Sequence, residues 1–102
     1  MRNINLIKKS IRYNHIYQNI NIGEYYEDCA YRPMLCTEND GDTIIGISLI
    51  DGSIHSCSVQ HCAPIKMTFN QALERKENWE EFIKPINDRM IKEGWRTEDN
   101  KI

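Results

Sequence analysis

The sequence predicts an α+β fold: a small antiparallel sheet or SH3-like, partly open barrel of four or five short strands, with a C-terminal amphipathic helical segment packed on it. Three observations predict it. Apolar residues alternate with polar ones in short runs up to residue 67. An Asp-Gly pair, Asp51 and Gly52, separates two of those runs. From Phe69 onward the apolar spacing changes to threes and fours, the period of a helix with one buried stripe.

The elements follow in order. In residues 1–19, Ile4, Leu6, Ile7 and Ile11 suit one face of a short helix, whereas Ile11, Tyr13, His15 and Tyr17 alternate as a strand does; a short helix followed by extended chain is expected. Ile20 to Asp28 reads as a strand, with Gly23 as a bulge. Pro33 forces a fresh start, Met34 to Thr37 is a second strand, and the polar run from Glu38 to Asp42 is a turn. The hairpin of residues 43–62 comes next. A type I′ turn needs positive φ at both central residues, which Asp51 and Gly52 tolerate. That turn would set Ile54 opposite Leu49, His55 opposite Ser48, Ser56 opposite Ile47 and Cys57 opposite Gly46. Ile45, Ile47, Leu49 and Ile54 would then form a core face, and Gly46, Ser48, Ile50, Ser53, His55 and Cys57 a polar one. Ala63 and Pro64 close the hairpin, and Ile65 to Met67 supplies one more strand. Thr68 with Gln71 three residues on is a capping box opening a helix over 69–77. Asn78 caps a second over 79–93, with Pro85 as a kink or restart and Gly94 as the stop. Residues 95–102 read as a frayed tail.

One domain accounts for all 102 residues: an N-terminal basic arm or short helix (1–19), a sheet core (20–67), a helical segment (68–94) and a tail (95–102). No apolar run reaches membrane-spanning length and the N-terminus has no secretory h-region, so a cytoplasmic protein with reduced thiols is expected. The net charge of -2 is unevenly spread: residues 1–22 carry +4, residues 23–51 carry -6, and the remainder is neutral. This acidic balance disfavours a dedicated nucleic-acid binder.

Chemistry-bearing residues cluster near the hairpin. Cys29, Cys36, Cys57 and Cys62 are the candidate metal set, because zinc takes four sulfur or nitrogen ligands. Their spacings, six and four residues between members, are not those of paired zinc knuckles. Free thiols packed as small hydrophobes are therefore the first expectation and zinc the lesser one, with no other cofactor indicated. His55 and Cys57 share a strand face, but strand geometry separates their side chains by about 6–7 Å, too far for direct proton transfer. No phosphate loop, nucleophile elbow or zinc-hydrolase helix occurs, so a non-enzymatic protein is expected. Gly46 opposite Cys57 would leave a dent ringed by Ser48, Ser53 and His55. With Arg32, these form the candidate ligand-binding set, suited to a small ligand or a nucleotide.

The runs Glu-Asp-Cys-Ala-Tyr-Arg-Pro-Met-Leu-Cys-Thr-Glu from Glu27, Gly-Ile-Ser-Leu-Ile-Asp-Gly-Ser from Gly46 and Cys-Ser-Val-Gln-His-Cys from Cys57 resemble a group of small uncharacterised bacterial and phage proteins. The resemblance covers about residues 20–68 and carries no activity or site with it. It implies a prokaryotic or viral accessory protein. The expected function is a small binding or inhibitory module that sequesters a protein or small ligand, with self-association open to it. The alternatives are a nucleotide-binding sponge using the polar hairpin face and a zinc-stabilised interaction domain.

Overall fold

The computed structural model describes residues 20–102. The basic arm expected over residues 1–19 lies outside the described residues. Five strands form one antiparallel sheet: β1 (Tyr25–Glu27), β2 (Pro33–Asn39), β3 (Thr43–Ser48), β4 (Ile54–Ser58) and β5 (Ile65–Met67). A single helical turn, α1 (Val59–Cys62), separates the last two, and α2 (Phe69–Glu77) and α3 (Trp79–Lys92) follow. The spatial order is β4-β3-β2-β1-β5. The sheet stays open, with β4 and β5 at its edges, so the α+β architecture is as the sequence predicts and the barrel is not closed. Residues 59–62, expected to extend the hairpin, instead coil into α1, because Ser58 Oγ accepts the His61 N–H and Ala63, at φ 49°, turns the chain out.

The helices lie on the sheet face that carries Tyr25 and Glu27. The Phe69 ring meets Tyr25 with centroids 5.5 Å apart. Arg75 on α2 donates to Glu27 and to the Tyr31 carbonyl, and its guanidinium sits 3.8 Å from the centre of the Phe82 ring. On the opposite face, Tyr26, Met34, Cys36 and Ile44 pack with Ile20 and Val59 into the most deeply buried cluster. Ile20 thus enters the core from outside a strand; the first strand begins at Tyr25, five residues later than expected.

The hairpin corrects two expectations. Its pairs are Ile47↔Ile54, Gly46↔His55, Ile45↔Ser56, Ile44↔Cys57 and Thr43↔Ser58, a register two residues away from the one a tight Asp-Gly turn dictates. Gly52 takes the left-handed conformation (φ 74°), but Asp51 does not, so the turn is not type I′. The wider loop wins because its own side chains satisfy its backbone. Ser48 Oγ accepts the Ile50 N–H at 3.1 Å, and Asp51 Oδ1 accepts both the N–H and the hydroxyl of Ser53. A two-residue slip keeps each side chain on its face, so the grouping of residues survives. The burial does not: Gly46 and Ser48 face the deep core, while Ile45 and Ile47 are half-buried and Ile54 is 71% exposed. The cause is the Tyr26 ring, which reaches over β3 and needs small residues beneath it. A Cβ on Gly46 would collide with the Tyr26 hydroxyl and lie 2.8 Å from the Leu35 carbonyl.

The helical segment follows the sequence more closely. Thr68 accepts the Gln71 N–H at 3.1 Å and Gln71 Oε1 accepts the Thr68 N–H at 2.8 Å, a complete capping box. Thr68→Ala is expected to cost about 1 kcal/mol in denaturant titration, with the loss confined to α2 in hydrogen exchange. Asn78 is a correction: it ends α2, donating to the Glu74 carbonyl, and its side chain makes no cap bond to α3. Pro85 sits within α3 without breaking it. Gly94 (φ 82°) stops the helix as expected. The tail is not frayed. Buried Asn87 donates to the Ile102 carbonyl and accepts the Ile102 N–H, both at 2.9 Å, pinning the last residue to α3.

Candidate functional site

The five residues expected to hold a small ligand do not share one open surface. Gly46 and Ser48 are inside, Ser48 at 1% exposure, so the face expected to be wet is an inner one. Arg32 is engaged with Asp28: its Nε donates to Asp28 Oδ2 at 2.8 Å, and its own N–H to Oδ1 at 2.9 Å. Asp28 is itself buried and also accepts the Ala30 N–H at 2.9 Å, which folds the β1–β2 connection around it and holds Tyr31 at φ 66°. Tyr26, on the same sheet, is 1% exposed and so presents no ring to a nucleotide.

Ser53 and His55 do meet, with Ser53 Oγ 2.7 Å from His55 Nε2. Ser53 has one hydroxyl proton, and Asp51 Oδ1 takes it across 2.6 Å, since a carboxylate can only accept. Nε2 must then carry a proton and donate to Ser53. The imidazole is therefore oriented as a hydrogen-bond donor and not as a base toward this hydroxyl. The Asp51 carboxyl is held below its usual range, chiefly by these Ser53 bonds.

Three of the four cysteines come together. The Cys29 N–H donates to Cys62 Sγ at 3.2 Å, and Cys57 lies close enough to Cys62 for the two thiols to shift each other's ionisation. Cys36 stands apart, with its thiol on the Glu38 carbonyl 3.5 Å away. The candidate set of four does not converge, and among the described residues no group of three or more Cys, His, Asp or Glu side chains is arranged to hold a metal ion. The thiols differ chemically. The Cys62 hydrogen bond holds Cys57 below its usual value, whereas burial first, and then the bond to Cys62, pushes Cys29 up to about 11. Cys62 is raised, first by its bond to Cys57 and then by burial.

Sequence reasoning missed the outer margin of the sheet. Among the described residues nothing pairs with the outer side of β4. The Ser48 N–H bonds to the Ser53 carbonyl and the Val59 N–H to the Asp42 carbonyl, so residues 53, 55, 57 and 59 direct their backbone groups at β3. The alternate residues Ile54, Ser56 and Ser58 direct theirs outward. No lysine, aspartate, glutamate or proline lies in β4. The other edge is built differently: β5 is three residues long and carries Lys66, ion-paired with Glu24. Short length and lysine are the usual protections of a free edge, and β4 has neither. The absence of charge from residues 54–58 was the available signal, but it identifies an edge only once the strand order is known.

No protein-family profile matches the chain, and no curated protein or solved structure is significantly similar to it. What fold and site define is a class: a small open-sheet α+β domain whose β4 edge is unpaired among the described residues. Among the described residues no helix is long and apolar enough to cross a membrane.

Proposed function

We propose that this chain is a non-enzymatic binding module that captures an extended segment of a partner protein by strand addition to β4. The observation that carries the reading is the β4 edge, unpaired among the described residues and free of Lys, Arg, Asp and Glu, with Ile54 standing 71% exposed on it. Outward N–H and C=O groups at Ile54, Ser56 and Ser58 supply a ladder for an antiparallel or parallel guest, and Ile54 supplies the apolar contact that selects it. Carboxylates bracket the edge: Asp51 precedes it, and Asp42, whose carbonyl bonds to the residue after β4, lies at its far end. The guest that fits alternates β-branched residues with polar ones and carries a basic residue at each end. Trp95, 74% exposed at the end of α3, adds a second feature that suits a protein partner. In this role the chain would act as a small accessory or inhibitory protein of the bacterial or phage kind it resembles.

A short acetylated peptide of alternating valine and threonine with a lysine at each end tests the reading. Amide shifts are expected at Ile54, Ser56 and Ser58 and not along β5, and Ile54→Lys should weaken binding at least about tenfold by removing apolar contact and repelling the lysines. The reading fails if millimolar peptide leaves the β4 amides unmoved, or if Ile54→Lys binds as well as the parent chain.

A further inference from the structure

The inner stripe of α3 contains a polar residue where an apolar one would continue the pattern. Trp79, Ile83 and Asn87 follow one another at intervals of four and so lie on one face, and Ile83 and Asn87 are each 5% exposed. A buried carboxamide costs free energy unless its donor and its acceptor are both hydrogen-bonded. Both are, and to main chain alone: Nδ2 donates to the Ile102 carbonyl and Oδ1 accepts the Ile102 N–H, each at 2.9 Å. This two-point hold is the one a neighbouring strand makes on an extended residue, and it ignores the side chain attached. Any extended segment with a free N–H satisfies it.

Residue 102 holds this position by few bonds. Among the described residues, the hydrogen bonds of residues 97–101 run within residues 96–101: the Thr97 N–H to Asn100 Oδ1 at 2.6 Å, Arg96 Nη1 to the Asn100 carbonyl at 2.8 Å, and Lys101 Nζ to Glu98 at 3.2 Å. From Thr97 onward, only Ile102 bonds to α3. The space beside it is larger than its occupant. A cavity of about 590 Å³ remains between α3 and residues 98–102, with Trp79 and Ile83 among its walls, and that volume lies in the range of ligand sites. Eight helical residues separate Trp79 from Asn87, about 12 Å, a length that about four residues of extended chain span. The charged rim is unbalanced. Lys84 is paired with Asp88 at 2.9 Å and Lys101 with Glu98, whereas Glu80 has no ion-pair partner among the described residues.

We propose that the face of α3 from Trp79 to Asn87 is a second peptide-binding site, and that residue 102 of the same chain is a strap occupying one end of it. The guest is an extended segment of a partner protein. It presents an unsubstituted N–H and a carbonyl to Asn87, lays an aromatic side chain against Trp79 and Ile83, and carries a basic residue that meets Glu80. Such a guest makes the two main-chain bonds that Ile102 makes and fills the cavity besides. The strap, joined to α3 by a short connection, competes at an effective concentration in the millimolar range, so it sets a threshold that a short polar segment does not pass. Apolar burial against Trp79 and Ile83 lets a longer guest exceed it. Lying on α3 and not at the sheet edge, the site stands or falls independently of strand capture at β4.

An acetylated, amidated peptide of asparagine, lysine, isoleucine, phenylalanine and lysine, in that order, is titrated into the full chain and followed by NMR. Shifts are expected in the Asn87 side-chain NH2 and the Trp79 indole N–H. Ile102→Pro removes the N–H that Asn87 accepts, so it opens the strap and leaves α3 untouched; binding at least about tenfold tighter than the parent's is expected. A peptide with proline in place of isoleucine should bind at least about tenfold more weakly than the isoleucine peptide, for the same missing N–H. Asn87→Ala should lose the peptide, its fold checked by circular dichroism. The proposal is overturned if millimolar isoleucine peptide moves neither signal in the parent or in Ile102→Pro, or if the shifts fall on the β4 amides alone. It is equally overturned if the proline peptide binds as well as the isoleucine one, or if Ile102→Pro binds no more tightly than the parent. The proline comparisons decide these points even if Asn87→Ala fails to fold.

Discussion

Replacing Gly46 with alanine is expected to destabilise the domain by about 2–3 kcal/mol, and replacing it with valine by more, because the site has no room for a β-carbon. Two obstacles meet that carbon. One is the Tyr26 hydroxyl, at the end of a side chain that is itself 1% exposed; the other is the Leu35 carbonyl, 2.8 Å away. The tyrosine can move only by disturbing Met34, Cys36 and Ile44, with which it forms the core. The carbonyl belongs to the neighbouring strand and moves only if β2 moves. For a domain of this size, the alanine penalty corresponds to a fall in Tm of roughly 10–20 °C. Adding Tyr26→Phe to Gly46→Ala removes the hydroxyl and leaves the carbonyl, so partial recovery of the denaturation midpoint is expected. Full recovery would locate the whole conflict at the hydroxyl, and unchanged stability in Gly46→Ala would show that the sheet yields freely there.

Asp28→Ala is expected to cost about 3 kcal/mol, the scale for breaking a buried ion pair by removing one partner. The carboxylate is 6% exposed and accepts from the Ala30 N–H, the Arg32 N–H and Arg32 Nε. Its loss leaves the Ala30 amide buried without that acceptor, and removes the bond that ties Arg32 down beside the thiol cluster. It also loosens the turn that keeps Tyr31 at positive φ, a conformation that a non-glycine residue adopts only when its surroundings impose it. Asp28→Asn keeps an oxygen for the two backbone amides but turns an NH2 toward Arg32, so a loss of about half that size is expected. Urea denaturation monitored by Trp fluorescence measures both. Equal stability of the alanine variant and the parent would mean that the turn is held by its backbone bonds alone.

Local chemistry was readable where one short segment satisfies itself. The Thr68 capping box, the Gly94 stop and the periodic apolar stripe from Trp79 to Ile91 all depend on neighbours within about four residues, and all appear where they were expected. The hairpin shows the limit of that reasoning. Asp51-Gly52 marks a turn, as its composition requires, but the choice between a tight and a wide loop turned on Ser48 and Ser53, whose side chains bond to the wider form. The face assignment failed for a longer-range reason. Alternation says which residues go together and not which group lies deeper, and here the deeper face holds Gly46 and Ser48 because Tyr26, some twenty residues earlier, lies across it.

By itself, then, the sequence determined an α+β domain of short antiparallel strands followed by capped helices, because period, cap and turn chemistry act over a few residues. Tertiary structure alone decided that the sheet stays open, that β4 is an edge, that Cys36 leaves the other three cysteines, and that Asn87 holds the C-terminus. Each of those depends on which distant segments become neighbours. That choice follows from the packing of Ile20, Tyr26, Met34, Ile44 and Val59 into one core, and no local pattern encodes it.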